Sequence, residues 1–313
     1  MRTYTTWTDL PDDARGASAA LGNFDGVHIG HQAVIDLARL VADRTAAPLG
    51  IVTFEPHPRE VFAPSTPPFR LMSAETKAHR LEKLGVDILY QLEFNENLSG
   101  LSPDAFARHV IADGLGLTHV VVGDDFRFGK GRAGNTSDLE TFGRDMGFDV
   151  TVATLVRTDG AEVSSTSIRE ALTDGRPRDA AKMLGHWHRI DGEVLHGAKR
   201  GRGLGYPTTN MSIAGLHPPR FGVYAVKVDI LSGPHEGTYD GAASIGVRPM
   251  FGKNQANLET YILDFDGDLY GTHLSVALVE FLRPERKFDS LDALAAQMKT
   301  DCAQARLLLA DVK

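Results

Sequence analysis

The stretch Leu21-Gly22-Asn23-Phe24-Asp25-Gly26-Val27-His28-Ile29-Gly30-His31-Gln32 decides how the first half of this chain folds. A short apolar lead-in, residues 17–21, predicts a strand. From Gln32 onward, Ala33, Val34, Leu37, Ala38, Leu40 and Val41 recur at helical spacing and predict a helix that ends before Pro48. The three glycines therefore sit in a turn that joins a strand to a helix. Glycine lets backbone N–H groups approach an anion closely, and a helix N-terminus adds free donors and partial positive charge. His28 and His31 flank Ile29-Gly30, so both can face that anion and donate hydrogen bonds as charge builds on a phosphate. A pair of solvated histidines on a glycine turn is the plainer alternative.

Outward from this turn, apolar runs at residues 49–54, 87–92, 119–123 and 149–155 predict strands, separated by helical patterns at 74–84, 103–115 and 137–146. The alternation implies an α/β, doubly wound parallel sheet, in which ligands bind beyond the carboxyl ends of the strands. After the second strand comes Glu55-Pro56-His57-Pro58-Arg59-Glu60, a shaped loop rather than an element interior. After the fourth comes Asp124-Asp125-Phe126-Arg127-Phe128-Gly129, whose two rings, with Phe54, Phe62 and Phe69, can wall a flat ring system or simply fill a core. Residues 64–69 are proline-rich and read as a flap over the site or as an inert loop. Ser164-Ser165-Thr166-Ser167-Ile168-Arg169 opens a later helix with hydroxyls and a cation, which suits a second anion site or an ordinary capping cluster.

The pattern changes near Gly185. Short strands at 189–196, 223–230, 239–245, 257–263 and 274–281, punctuated by Gly, Pro and Asn, precede a terminal helix at 291–309. Such spacing predicts a small antiparallel β-barrel with the last helix packed on it, and hence two domains, residues 1–185 and 186–313. The run His196-Gly197-Ala198-Lys199-Arg200-Gly201-Arg202-Gly203-Leu204-Gly205 can wrap a phosphate chain with backbone amides and charge, although it lacks the spacing of a Walker loop. A basic RNA-binding hairpin or a solvated loop is the alternative. Thr208 and Asn210, two positions apart on extended chain, turn hard oxygen donors to one side, as magnesium requires. Glu259 stands in an apolar strand and is either a base for a hydroxyl proton or a residue on the solvated face.

Composition bounds these readings. The 313 residues are 42% hydrophobic, enough for two cores, and a net charge of -8 disfavours a general polyanion-binding or membrane-attracted surface. The single cysteine, Cys302, excludes an intrachain disulfide and a cysteine zinc cluster, and fits a reducing cytoplasm. Neither a leader pattern nor a bilayer-spanning apolar run is present.

The His28-to-His31 string resembles the HxGH signature of the nucleotidyltransferase superfamily, and its longer form is similar to that of bacterial bifunctional riboflavin kinase/FAD synthetases. The likeness continues in family order through residues 54–60, 121–129, 164–169, 201–210, 222–224, 258–259, 269–271 and 281–288. The resemblance implies an N-terminal FMN adenylyltransferase module and a C-terminal riboflavin kinase barrel. It implies that His28, His31 and Arg169 act on ATP phosphates together with Ser165 and Thr166, with Gly22, Asn23, Phe24, Asp25 and Gly30 lining the nucleotide. In the second module Lys199, Gly201, Gly203 and Gly205 would hold ATP, Thr208 and Asn210 Mg2+, and Glu259 would be the base. The flavin would meet Phe54, His57, Phe62, Asp125, Phe126, Phe128 and Arg248. Riboflavin, FMN and ATP are the implied partners and FMN and FAD the products, with no nucleic acid or membrane and with a weak or transient homo-oligomer allowed.

Three segments depart from the family pattern, the first being the usual GFPTAN-like string, which stands as Gly205-Tyr206-Pro207-Thr208-Thr209-Asn210 and keeps both implied magnesium ligands. Val247 and Met250 replace hydroxyls in Gly246-Val247-Arg248-Pro249-Met250-Phe251, and His186-Trp187-His188 stands where an arginine, a proline and an aromatic are common. Two rivals remain. A class I aminoacyl-tRNA synthetase would share the HxGH string but needs a lysine-rich partner motif that is missing here. The barrel could instead be a non-catalytic flavin- or RNA-binding module.

Overall fold

Strand and helix alternate through the first half of the computed structural model as the periodicity demands. In order come β1 (Arg2–Tyr4), β2 (Ser18–Leu21), α1 (Ile29–Thr45), β3 (Leu49–Glu55), α2 (Pro58–Phe62), α3 (Ala74–Lys83), β4 (Ile88–Glu93), α4 (Glu96–Ser99), α5 (Pro103–Ala105), β5 (His119–Gly123), α6 (Thr136–Met146) and β6 (Asp149–Ala153). The short pair β7 (Arg157–Thr158) and β8 (Ala161–Glu162) follows. The structure describes residues 1–154, 157–158, 161–196, 206–247 and 256–312. Contacts group Met1–Thr66 with Lys77–Val163 as one compact unit, and Pro67–Thr76 with Ser164–Lys313 as a second.

The first unit carries a parallel sheet in the order β1-β4-β3-β2-β5-β6. All four residues of β2 and residues 120–122 of β5 are buried, as strands covered on both faces must be. From β2 the chain moves outward through β3 and β4, then returns to the far side of β2 as β5. That reversal puts the topological switch point between β2 and β5, where the glycine turn and the 124–129 loop leave the sheet. One expected helix differs. After α5 the chain continues as a π-helix, Phe106–Ala112, whose wider turn keeps Phe106, Ala107, Val110 and Ile111 all in the core.

In the second unit α7 (Ser165–Thr173) and α8 (Pro177–Leu184) bury Ile168, Ala171, Leu172, Ala180 and Leu184 around Leu71, which arrives from the Pro67–Thr76 segment. Six strands follow: β9 (His188–Glu193), β10 (Thr209–Ser212), β11 (Gly222–Ile230), β12 (Gly237–Val247), β13 (Ala256–Ile262) and β14 (His273–Pro284). They pair antiparallel in the order β10-β13-β12-β11-β14-β9, and Leu195 N–H donates to the Asn210 carbonyl at 2.8 Å, joining the two edges into a nearly closed barrel. The extra strand is β10, whose four residues are too few for a periodicity signal. His188 of the unusual His186-Trp187-His188 segment is a buried residue of β9, and burial pushes its pKa down to about 3.

Helix α9 (Leu291–Leu309) lays Cys302, Ala305 and Leu309 on Ala225, Ala242 and Val279 of the barrel. Arg283 of β14 grips Asp301 of α9 through Nη2–Oδ2 at 2.7 Å and Nε–Oδ1 at 3.0 Å, while Gln297 Nε2 donates to the same carboxylate at 2.7 Å. Both ionic side chains are largely removed from water, so Asp301→Ala strands a buried guanidinium. We expect it to lower the stability of the barrel unit by about 3 kcal/mol, read as a shift in its calorimetric transition, while Cys302→Ala costs far less.

Candidate active sites

The turn after β2 is under backbone strain. Phe24 and the β-branched Val27 lie at φ 51° and φ 43°, a region that such residues rarely enter. Side chains pin it: Gln32 Nε2 donates to the Val27 carbonyl at 2.8 Å, and Thr53 Oγ1 donates to the Asn23 carbonyl at 3.1 Å. Lys77, which the motifs do not single out, reaches from α3 to the same carbonyl. A lysine at a buried position of a helical stripe is the signal that could have drawn notice.

His28 is the N-cap of α1, and its Nδ1 accepts from the His31 backbone N–H at 3.3 Å, which leaves the proton of neutral His28 on Nε2. A Cβ on Gly30 would come within 3.1 Å of the His28 ring, so glycine is what lets the imidazole lie against the helix start. The two imidazoles stack with centroids 3.6 Å apart and planes 16° from parallel, with the Phe24 ring 5.2 Å from His31. Burial above all, then the neighbouring His28 and Lys77, hold the His31 pKa well below its ordinary value. Its Nδ1 is sealed from water and has no hydrogen-bond partner. The turn thus offers one imidazole held neutral, a second stacked on it, and the N–H groups of a helix start, the equipment for an incoming phosphate.

The aromatic residues form a ladder of rings. Phe62 meets Phe94 at 5.5 Å, Phe94 meets Phe54 at 5.7 Å, Phe106 meets Phe128 at 5.7 Å, and Phe128 stacks on Phe126 at 5.6 Å. Phe106 and Phe128 are core, Phe54 and Phe126 are half-buried, and Phe62 is 66% exposed, so only the ends of the ladder present ring faces. Phe94 and Phe106 are members that no motif in the sequence marks. Phe69 belongs to the second unit and is buried there. His57 caps α2: its Nδ1 accepts from Arg59 N–H at 3.1 Å, and Glu60 Oε2 accepts from His57 N–H at 3.0 Å. Asp125 belongs to the loop after β5 and is exposed there, whereas Asp25, in the glycine turn, is buried.

At the start of α7, Ser164 and Ser167 close the capping box, so the helix end is satisfied without calling on Ser165 or Thr166 as its cap. Arg169 is oriented by the Phe69 carbonyl, which accepts from its Nε, and by the Phe69 ring 5.5 Å beneath the guanidinium. With Thr166, Thr173, Arg176 and His217 it lines a depression of about 350 Å3.

In the barrel, register brings Asn210 of β10 opposite Glu259 of β13, and Glu259 opposite Ser244 of β12, so the three share one row on one face. Asn257 Nδ2 donates to Asn210 Oδ1 at 3.2 Å and so aims the amide, while Asn257 Oδ1 is buried with no partner. Thr208 precedes β10 by one residue and is half-buried. Among the described residues no group of three His, Cys, Asp or Glu side chains converges as a metal site. The hydroxyl and amide oxygens of Thr208 and Asn210, with the orphaned Asn257 oxygen beside them, suit a hard cation that keeps waters and nucleotide oxygens in its shell. Lys199, Gly201, Gly203, Gly205, Arg248 and Met250 lie outside the described residues.

Known proteins resemble the chain along almost all of its length. The FAD synthetase family model matches residues 10–167 and the riboflavin kinase model residues 184–309. A bifunctional riboflavin kinase/FMN adenylyltransferase of Pseudomonas fluorescens is 44% identical over 304 residues, covering 96% of each chain. One of the same name from Listeria monocytogenes is 37% identical, covering 99% of this chain and 96% of its own. Among solved structures, one named as a macrolide-efflux protein from Streptococcus pneumoniae superposes with a TM-score of 0.84 at 30% identity, covering 98% of this chain and 99% of its own.

In a histidine-resolved NMR titration of the unliganded protein, His31 is expected to protonate well below pH 6.5. Because its folded pKa is depressed, the unfolded chain takes up the proton first. The contribution is neutral above pH 6.5 and turns against the fold as pH falls below it, so His31→Gln should flatten the acid side of the first unit's stability profile.

Proposed function

The chain belongs to the bifunctional riboflavin kinase/FMN adenylyltransferase family, and from that premise we propose which residues carry each half of its chemistry. The enzyme phosphorylates riboflavin with ATP to give FMN, and adenylylates FMN with ATP to give FAD and pyrophosphate. We assign the second reaction to residues 1–185 and the first to residues 186–313. Macrolide efflux, after which the structural relative is named, is not assigned to this chain, because both family models and the sequence relatives name flavin chemistry.

The observation that carries the kinase assignment is the pairing of Asn210 with Glu259. Glu259 accepts the proton of the ribityl hydroxyl as its oxygen attacks the γ-phosphorus. Asn257 holds the Asn210 amide in place for the nucleotide. Thr208 and Asn210 would hold magnesium, which when bound neutralises charge on the ATP phosphates. Lys199, Gly201, Gly203 and Gly205 are assigned to the triphosphate, and Arg248 to the flavin, on the family resemblance. For adenylyl transfer the FMN phosphate attacks the α-phosphorus directly, with no covalent enzyme intermediate. His28 and His31 donate hydrogen bonds to the phosphates, Arg169 pairs with the departing pyrophosphate, and Ser165 and Thr166 belong to the same signature. Phe62 and Phe126 offer ring faces to the isoalloxazine, supported from within by Phe54 and Phe128, and His57 and Asp125 are assigned to the same flavin site on the family resemblance.

We place the enzyme in the cytoplasm, with small molecules rather than nucleic acid or membrane as partners and with weak or transient self-association allowed. No helix among the described residues is long and apolar enough to cross a membrane, and burial raises the Cys302 thiol to about 11, which keeps it unreactive.

Two variants separate the reactions, followed by chromatography of riboflavin, FMN and FAD. Glu259→Gln should lower FMN formation by roughly 10²- to 10³-fold while FAD formation from supplied FMN persists, and unchanged kinase activity would remove the base assignment and favour a binding role for the barrel. His31→Ala should lower FAD formation by on the order of 10²-fold and leave FMN formation intact. Equal loss of both activities in a folded variant would reject separate sites.

A further inference from the structure

Lys77 holds a buried position beside the glycine turn without belonging to any of the catalytic groups. It lies on α3, only 2% exposed, with its ammonium 3.1 Å from Thr53 Oγ1, 3.4 Å from the Asn23 carbonyl and 3.9 Å from Glu55 Oε2. The Thr53 hydroxyl donates to the Asn23 carbonyl at 3.1 Å, so its lone pair is what receives the ammonium proton. One carbonyl is therefore approached by two donors, one of them charged. Immediately after it the backbone enters the left-handed region at Phe24 and again at Val27 before reaching His28. A buried cation is expensive to desolvate, and a neutral chain of the same length would fill the space. What the charge adds is a firm hold on Asn23 and a permanent positive potential behind a turn suited to a phosphate.

We propose that Lys77 is a positioning residue for adenylyl transfer: directly and through Thr53 it fixes the Asn23 carbonyl, and with it the strained turn that presents His28 and His31 to the ATP triphosphate. The proposal rests on the adenylyltransferase reading of that turn. Lys77 acts behind the turn rather than on the reacting atoms. Its charge also helps to keep His31 neutral, so that His31 serves as a hydrogen-bonding group and not as a second cation.

The test compares the full-length protein with Lys77→Met, Lys77→Arg and Thr53→Val. FAD formation from FMN, FMN formation from riboflavin, thermal melting and the NMR titration of His31 are measured on the same samples. Lys77→Met should lower kcat for FAD formation by about 30-fold with FMN formation within about twofold of wild type, and should move the His31 midpoint upward. Lys77→Arg should recover most of the rate and restore the low midpoint. Thr53→Val should lose a few-fold and add little on top of Lys77→Met, since both act through one carbonyl. An unchanged FAD rate in folded Lys77→Met overturns the proposal. So does equal impairment of the Met and Arg variants with an unmoved His31 midpoint, which would mark a packing role. If Lys77→Met does not fold, Thr53→Val decides, and a wild-type FAD rate there overturns the proposal. A wild-type protein that makes FMN but no FAD instead removes the adenylyltransferase reading beneath it.

Discussion

The structure of the first unit depends on a short buried strand that must end in a tight, left-handed turn and still leave a helix start open. Strand β2 has solvent on neither face, so its exit is confined to the switch point of the sheet. Phe24 and Val27 take up conformations that cost each of them on the order of 1–3 kcal/mol. Gln32, Thr53 and Lys77 hold the backbone there. His28 satisfies one of the donors at the start of α1. Strain and capping are thus consequences of one chain reversal.

The barrel solves a different problem. Its interior is closed by Met211, Leu258, Val226 and Leu278, while β10 and β13 also carry Asn210, Glu259 and Asn257 in neighbouring register positions. Antiparallel pairing makes this economical, because residues directly opposite share a face and sit within side-chain reach. A buried amide oxygen on Asn257 with no partner is costly in a folded protein, and such costs gather where a ligand completes the set. Helix α9 covers the outer face of the neighbouring strands, and the Arg283–Asp301 pair fixes how it sits.

Electrostatics follow the same division of labour. The net charge of -8 leaves no general attraction for anions, so each phosphate site is local. The glycine turn gathers two stacked imidazoles, a helix start and one buried ammonium. At α7 stands Arg169, which the Phe69 carbonyl and ring hold in one orientation.

Local chemistry is open to reading in the chain itself. The doubly wound sheet follows from apolar runs alternating with helical stripes, the HxGH turn from glycines between a strand and a helix, and the barrel from evenly spaced strands after Gly185, since each signal is written within a dozen residues. Tertiary structure decided what distant segments do to one another. Residues at separations no periodicity encodes came together when α3 brought Lys77 to Asn23, when register set Asn210 against Glu259, and when Phe69 reached Arg169. Packing also overrode local expectation, widening the helix after Ala105 into a π-turn so that four residues could stay buried and splitting the aromatic set into core rungs and exposed ends. The physical reason is that side-chain period reports which face of an element is apolar, whereas contact between elements is fixed by where the whole chain can bury those faces together.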